Sequence, residues 1–108
     1  MARTPEGKVK DAVKKFLKER GAWYFMPVSN GMGQVGIPDI ICCYKGFFIA
    51  IETKAPGKKS QVTDNQKRVM DAIRDATGLA WVVDDPTELD AIFNAVDIML
   101  KLTGGRHD

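Results

Sequence analysis

The stretch Gly36-Ile37-Pro38-Asp39-Ile40-Ile41-Cys42-Cys43-Tyr44-Lys45-Gly46-Phe47-Phe48-Ile49-Ala50-Ile51-Glu52-Thr53-Lys54 decides the fold. Two apolar runs, Ile40 to Tyr44 and Phe47 to Ile51, flank Lys45-Gly46, which predicts a β-hairpin closed by a two-residue turn. Counted outward from that turn, Tyr44 faces Phe47, Cys43 faces Phe48, Ile41 faces Ala50, and Asp39 faces Glu52. The two carboxylates are then cross-strand neighbours on one face, with Cβ atoms roughly 4.5–5.5 Å apart. Lys54, two residues beyond Glu52, falls on the same face by strand alternation. The turn requires a positive φ at Lys45, and a one-residue slip would send Glu52 to the opposite face. Two facing carboxylates and an ammonium at the end of an apolar hairpin are unfavourable unless something binds there, and a divalent cation is the candidate.

Outward from the hairpin, the remaining elements read as follows. Thr4-Pro5-Glu6 is a helix start: Thr caps, Pro takes the first helical position and Glu lies in the first turn. Val9, Val13, Phe16 and Leu17 form one helical stripe, bordered by Lys8, Lys10, Lys14, Lys15 and Lys18, and Arg20-Gly21 ends it. Ala22 to Val28 is a β-type run, feeding a glycine-rich loop, residues 29–36, that leads into Pro38-Asp39. After the hairpin, Ala55 to Ser60 breaks the strand and places Lys58 and Lys59 beside Lys54. Thr63 to about Thr77 reads as a helix with Val69, Met70, Ile73 and Ala76 inward, stopped by Gly78. Leu79 to Val83 is a short apolar strand expected to be buried on both faces. Asp85-Pro86-Thr87-Glu88 is a second helix start with a capping-box pattern, opening a helix whose stripe is Leu89, Ile92, Phe93, Val96, Met99 and Leu100. The hairpin is apolar on both sides, so helices should cover both faces of a mixed sheet.

The chain's 108 residues fit a single domain, 1–108, with a core of about 4–84, a C-terminal helix of about 86–102 and a frayed tail at 103–108. No segment approaches the roughly 18–20 apolar residues that span a bilayer, and the start, Met-Ala-Arg-Thr-Pro-Glu, has no apolar signal core. A cytoplasmic protein is expected. Cys42 and Cys43 are adjacent on a strand and point to opposite faces, so they read as small buried hydrophobes rather than a metal or disulfide pair. His107 sits alone in the tail. Residues 1–68 hold 13 Lys and Arg against 6 Asp and Glu, whereas residues 69–108 hold 3 against 8. The basic part contains the carboxylate pair. A cationic surface around an acidic centre suits a polyanion whose phosphates must approach two carboxylates; the alternative for the Lys-rich first helix is a solvated face. Hard carboxylate oxygens select Mg²⁺ or Mn²⁺ over zinc.

The element order α-β-β-β-α-β-α, with Pro38-Asp39, Glu52-Thr53-Lys54 and a first helix carrying Glu6, resembles the PD-(D/E)xK nuclease fold: a restriction-endonuclease-like α/β core whose central mixed sheet is flanked by helices. Within that superfamily the small size, the string Gly36-Ile37-Pro38-Asp39-Ile40-Ile41 and Gln66 in the helix after the lysine look most like the VRR-NUC (virus-type replication-repair nuclease) family, near the archaeal-type Holliday junction resolvases. The resemblance covers about residues 4–84. It implies a metal-dependent DNA endonuclease acting on branched DNA in repair or recombination, as a homodimer with Mg²⁺ or Mn²⁺. Carried over by residue, it implies that Asp39 and Glu52 ligate the metal, with the Thr53 carbonyl and the helix-borne Glu6 completing the site. Lys54 would orient or activate water or neutralise charge on the phosphorane, and Gln66 would support the lysine or the phosphate. Ser29 falls where the resolvases carry a functional serine. Candidate DNA contacts are Lys8, Lys14, Lys15, Lys58, Lys59, Lys67 and Arg68.

Other readings of these residues stand beside this one. Glu6 suits a first turn through the helix dipole alone. Thr63-Asp64-Asn65-Gln66 is itself a capping-box pattern. Trp23, Tyr24 and Trp81 read as core rather than as base-stacking platforms. At the level of function, the alternatives are a restriction-type or partner-dependent nuclease, and a non-catalytic nucleic-acid-binding module on the same fold.

Overall fold

The computed structural model describes residues 3–28 and 35–103. Ser29, the loop through Gln34 and the tail beyond Thr103 lie outside the described residues. The elements run α1 (Pro5–Arg20), β1 (Trp23–Phe25), β2 (Ile40–Tyr44), β3 (Phe47–Thr53), α2 (Asp64–Asp75), β4 (Leu79–Val83) and α3 (Glu88–Leu102). This is the expected α-β-β-β-α-β-α order.

The hairpin forms in the expected register. Tyr44 pairs with Phe47, Cys43 with Phe48, Ile41 with Ala50 and Ile40 with Ile51. Lys45 (φ 50°) and Gly46 (φ 87°) both take positive φ, as a two-residue turn matched to the twist of the strands demands. The sheet order is β1-β2-β3-β4; the first three strands are antiparallel, and β4 joins β3 in parallel after the α2 crossover.

Alternation along the strands separates two cores. On one face, Ile40, Cys42, Ile49 and Ile51 bury against Val9, Val13 and Leu17 of α1 and Leu89, Phe93 and Val96 of α3. Each fully buried aliphatic or aromatic side chain in that layer contributes about 1.5–3 kcal/mol. On the other face, Met70 of α2 packs on Ala50 and Ala80, with Ile41, Val62, Ile73 and Val82 around them. A polar knot ties the main layer together at the turn end: Asp97 of α3 accepts from Tyr44 Oη at 2.9 Å, Lys45 Nζ at 3.1 Å and the Arg20 guanidinium at 3.1 Å.

Several expectations are corrected. The β-type run shortens to Trp23–Phe25. Trp23, read as core, is 64% exposed, because α2 covers only the β3–β4 half of its sheet face and leaves Trp23, Phe25 and Cys43 uncovered. Tyr24 and Trp81 do pack against the main core. Ala76 is the exposed C-cap of α2 rather than an inward residue. In β4 only Ala80 and Val83 are buried, the other three residues half-buried. The second capping box does not form: Thr87 takes helical angles with no side-chain cap bond, and Asp85 Oδ1 instead accepts from the Thr87 N–H and hydroxyl. An Asp side chain bonds readily to the N–H two residues on, as here, in place of the N–H three residues on that a capping box needs.

Candidate active site

The end of the hairpin opposite the turn gathers the chemistry. Pro38, buried, leads into Asp39 one residue before β2. Gly36 takes φ +87°, and a Cβ there would lie 2.5 Å from the Asn65 carbonyl oxygen. The segment carrying Asp39 is therefore seated directly on the first turn of α2, a contact only glycine permits. Asp39 Oδ2 accepts from the Thr53 backbone N–H at 2.9 Å and from Thr53 Oγ1 at 2.7 Å. Thr53 is fully buried, which holds the carboxylate in one orientation.

Glu52 is 4% exposed at the end of β3. Its Oε2 accepts from Gln66 Nε2 at 2.8 Å and lies 3.4 Å from Lys54 Nζ. Its Oε1 is buried with no hydrogen-bond partner. Burial first, then the Asp39 charge, push the Glu52 carboxyl up to about 7, with Lys54 pulling in the opposite direction. Lys54 is itself placed by its backbone N–H, which donates to the Val83 carbonyl at 3.0 Å and extends the parallel ladder past Thr53.

Gln66 bonds both to its own helix start and to the hairpin end. Its Oε1 accepts from the Thr63 N–H at 3.0 Å while its own N–H donates to Thr63 Oγ1 at 3.1 Å, completing the capping box of α2. The same Oε1 also accepts from Lys54 Nζ at 3.2 Å. The start of α2 is thus built into the site.

Each carboxylate has one oxygen held by the protein and one turned elsewhere. The turned oxygen of Asp39, Oδ1, meets Lys10 Nζ of α1 at 3.7 Å. Lys10 was not singled out from sequence; its one signal is that it sits a helical turn after Glu6, on the same side of α1. Glu6 is half-buried in the first turn of α1. It is not drawn into a cluster with the other two acids: among the described residues, no group of three or more His, Cys, Asp or Glu that could hold a metal comes together.

The remaining cations differ in what they touch. Lys8, Lys15, Lys58, Lys67 and Arg68 are exposed. Lys14 lies 3.7 Å from Asp11 on its own helix. Lys59 is engaged by Glu88, and it lies 3.9 Å from Asp84. Its ammonium is pulled toward the acidic start of α3 instead of standing open beside Lys54.

The donor set fits a hard cation. Mg²⁺ keeps several waters and takes only one or two protein carboxylates. An unsatisfied buried carboxylate oxygen beside a second carboxylate is the arrangement that such an ion relieves. Among the described residues no His or Cys groups with Asp39 and Glu52, which sets the site apart from a zinc centre.

The four-stranded mixed sheet and its three helices make this an α/β domain. No protein-family model matches the chain, and no curated protein sequence matches it. A solved structure described as a VRR_NUC domain superposes with a TM-score of 0.72, covering 85% of this chain and 97% of that one at 20% identity. The chain has the VRR_NUC domain fold, which is the fold the sequence pattern implied.

Proposed function

We propose that this protein is a divalent-cation-dependent endonuclease that hydrolyses phosphodiester bonds in branched DNA, such as Holliday junctions, as a homodimer. The observation that carries the reading is the buried, orphaned Glu52 Oε1 beside Asp39, with Lys54 in contact with the same Glu52 carboxylate. A structural role would not leave such an oxygen unsatisfied in the interior. A carboxylate pair facing phosphate would also serve a pure nucleic-acid binder poorly.

Asp39 and Glu52 would hold Mg²⁺ or Mn²⁺, with the Thr53 carbonyl and Glu6, through water, as further oxygens. The bound cation supplies a water that is nucleophilic near neutral pH and neutralises charge on the phosphoryl oxygens. Thr53 fixes Asp39 through two hydrogen bonds. Gln66 fixes both Glu52 and Lys54. Lys54 then presents its ammonium where it can orient the attacking water or meet charge building on the phosphate. Lys8, Lys14, Lys15, Lys58, Lys67 and Arg68 give the backbone of the DNA a cationic approach. A domain of this size offers little surface for reading sequence, whereas a two-fold dimer presents two sites to a four-way junction. The cytoplasm is the expected compartment; among the described residues no helix is long and apolar enough to cross a membrane.

Cleavage of a labelled four-way junction against matched linear duplex tests this, with Mg²⁺, Mn²⁺ or EDTA, for wild type and Asp39→Ala. Metal-dependent junction cutting that disappears in the variant is the expected result. Sequence-dependent cutting of plain duplex would point instead to a restriction-type enzyme. DNA binding indifferent to metal and to Asp39→Ala, with no cutting, would leave a binding module.

A further inference from the structure

Lys10 is the basic residue of α1 that crosses to the site. Lys14 and Lys15 meet acids of their own helix, Asp11 at 3.7 Å and Glu19 at 3.9 Å. Lys10 ignores Glu6, one turn earlier and well spaced for a helical ion pair, and reaches Asp39 Oδ1 at 3.7 Å. Both side chains are about three-quarters buried, 24% and 25% exposed. The Lys10 stem therefore lies along protein and its ammonium sits at the mouth of the site. The oxygen it faces is the one Thr53 leaves open, since both Thr53 donors go to Oδ2. Among the described residues, Asp39 Oδ1 and Glu52 Oε1 are the oxygens of this pair that take no hydrogen bond.

We propose that Lys10 is the resident counter-cation of Asp39. It occupies the open side of that carboxylate until a divalent cation arrives, and is displaced onto a backbone phosphate of the DNA when one does. This rests on the reading of Asp39 and Glu52 as a cation site. Lys10 and a divalent cation compete for the same carboxylate, so one ammonium neutralises Asp39 in the cation-free protein and serves the substrate in the loaded one. It is a positioning residue for Asp39 and a phosphate contact for DNA.

Two binding measurements on the full chain test it, neither of which reads cleavage. Mn²⁺ affinity is measured by calorimetry on cation-free wild type, Lys10→Met, Lys10→Arg and Asp39→Ala, with thermal melts confirming that each is folded. Lys10→Met should bind Mn²⁺ about two- to fivefold more tightly, the worth of a partly screened ion pair, and Lys10→Arg should stay near wild type. Junction binding is then followed by fluorescence anisotropy over a salt series, with Ca²⁺ or with EDTA. Lys10→Met should lower the slope of log affinity against log salt by about one in Ca²⁺, the signature of one lost phosphate contact, and leave it unchanged in EDTA.

Unchanged or weaker Mn²⁺ binding by Lys10→Met overturns the proposal, as does an equal loss of salt slope in both conditions. Undiminished Mn²⁺ binding by Asp39→Ala overturns the cation site itself and the role of Lys10 with it. Loss of Mn²⁺ in Asp39→Ala with no effect of Lys10→Met overturns only the role of Lys10.

Discussion

Gln66 donates from Nε2 to Glu52 Oε2 at 2.8 Å, and the same side chain closes the capping box that starts α2. One residue therefore couples the stability of a helix to the orientation of a site carboxylate. The coupling separates two variants. Thr63→Ala removes one capping bond and should cost about 1 kcal/mol. Gln66→Ala removes the reciprocal cap and strips Glu52 Oε2 of its amide donor, so it should cost about 1–3 kcal/mol and depress cleavage far more than Thr63→Ala does. Urea denaturation and kcat on a junction substrate give the comparison. Equal losses of stability and activity in the two variants would reduce Gln66 to a capping residue.

Glu52 holds its proton up to about pH 7 in the folded, cation-free protein, against an ordinary value of 4.5. The folded state thus binds more protons than the unfolded chain between those values, and stability falls as pH rises through that window. The loss should reach at most about 3 kcal/mol. Glu52→Gln should flatten the slope and be the more stable protein at about pH 8 in EDTA. Added Mn²⁺ should stabilise wild type increasingly as pH passes about 7, because the ion binds the carboxylate form, and should do little for Glu52→Gln. Denaturation curves from about pH 4 to 8 measure both effects; an unaltered slope in Glu52→Gln would sink the assignment.

Gly36→Ala should be costly out of proportion to one methyl group. The positive φ strains any side chain there, and the new Cβ would collide with the Asn65 backbone at 2.5 Å. A loss of more than about 1 kcal/mol is expected, together with weaker Mn²⁺ binding, since the segment that moves carries Asp39. A variant with wild-type melting and cation affinity would show that the contact does not position the carboxylate.

Thr53→Val keeps the volume of a fully buried residue and removes the hydroxyl that donates to Asp39 at 2.7 Å. The Thr53 N–H remains, so Asp39 keeps one of two tethers. A cost of about 1 kcal/mol and a lower kcat with little change in KM are expected. A rise in KM alone would indicate that Thr53 affects DNA binding rather than the carboxylate.

Much of this architecture was legible in the chain. Thr4-Pro5-Glu6, the Lys45-Gly46 turn, the hairpin register and the capping box at Thr63 all formed as read, because each depends on neighbours within a few residues. Trp23 was misread: a single strand does not reveal how far a helix on the other side of the chain will extend over it. The pattern at Asp85 to Glu88 matched a capping box, yet the Asp85 side chain bonds the Thr87 N–H and hydroxyl in place of the Glu88 N–H.

The sequence by itself determined that two carboxylates and a lysine share the end of one hairpin, since strand alternation and turn length are local and arithmetic. Tertiary packing decided how those groups are held. The pairing of Lys10 with Asp39, the tether of Asp39 to Thr53, the bond from Gln66 to Glu52 and the removal of Lys59 toward Glu88 join residues 14 or more positions apart. Such contacts depend on where α1, α2 and α3 settle on the sheet, which is set by the burial of their apolar faces and not by the polar residues they bring together.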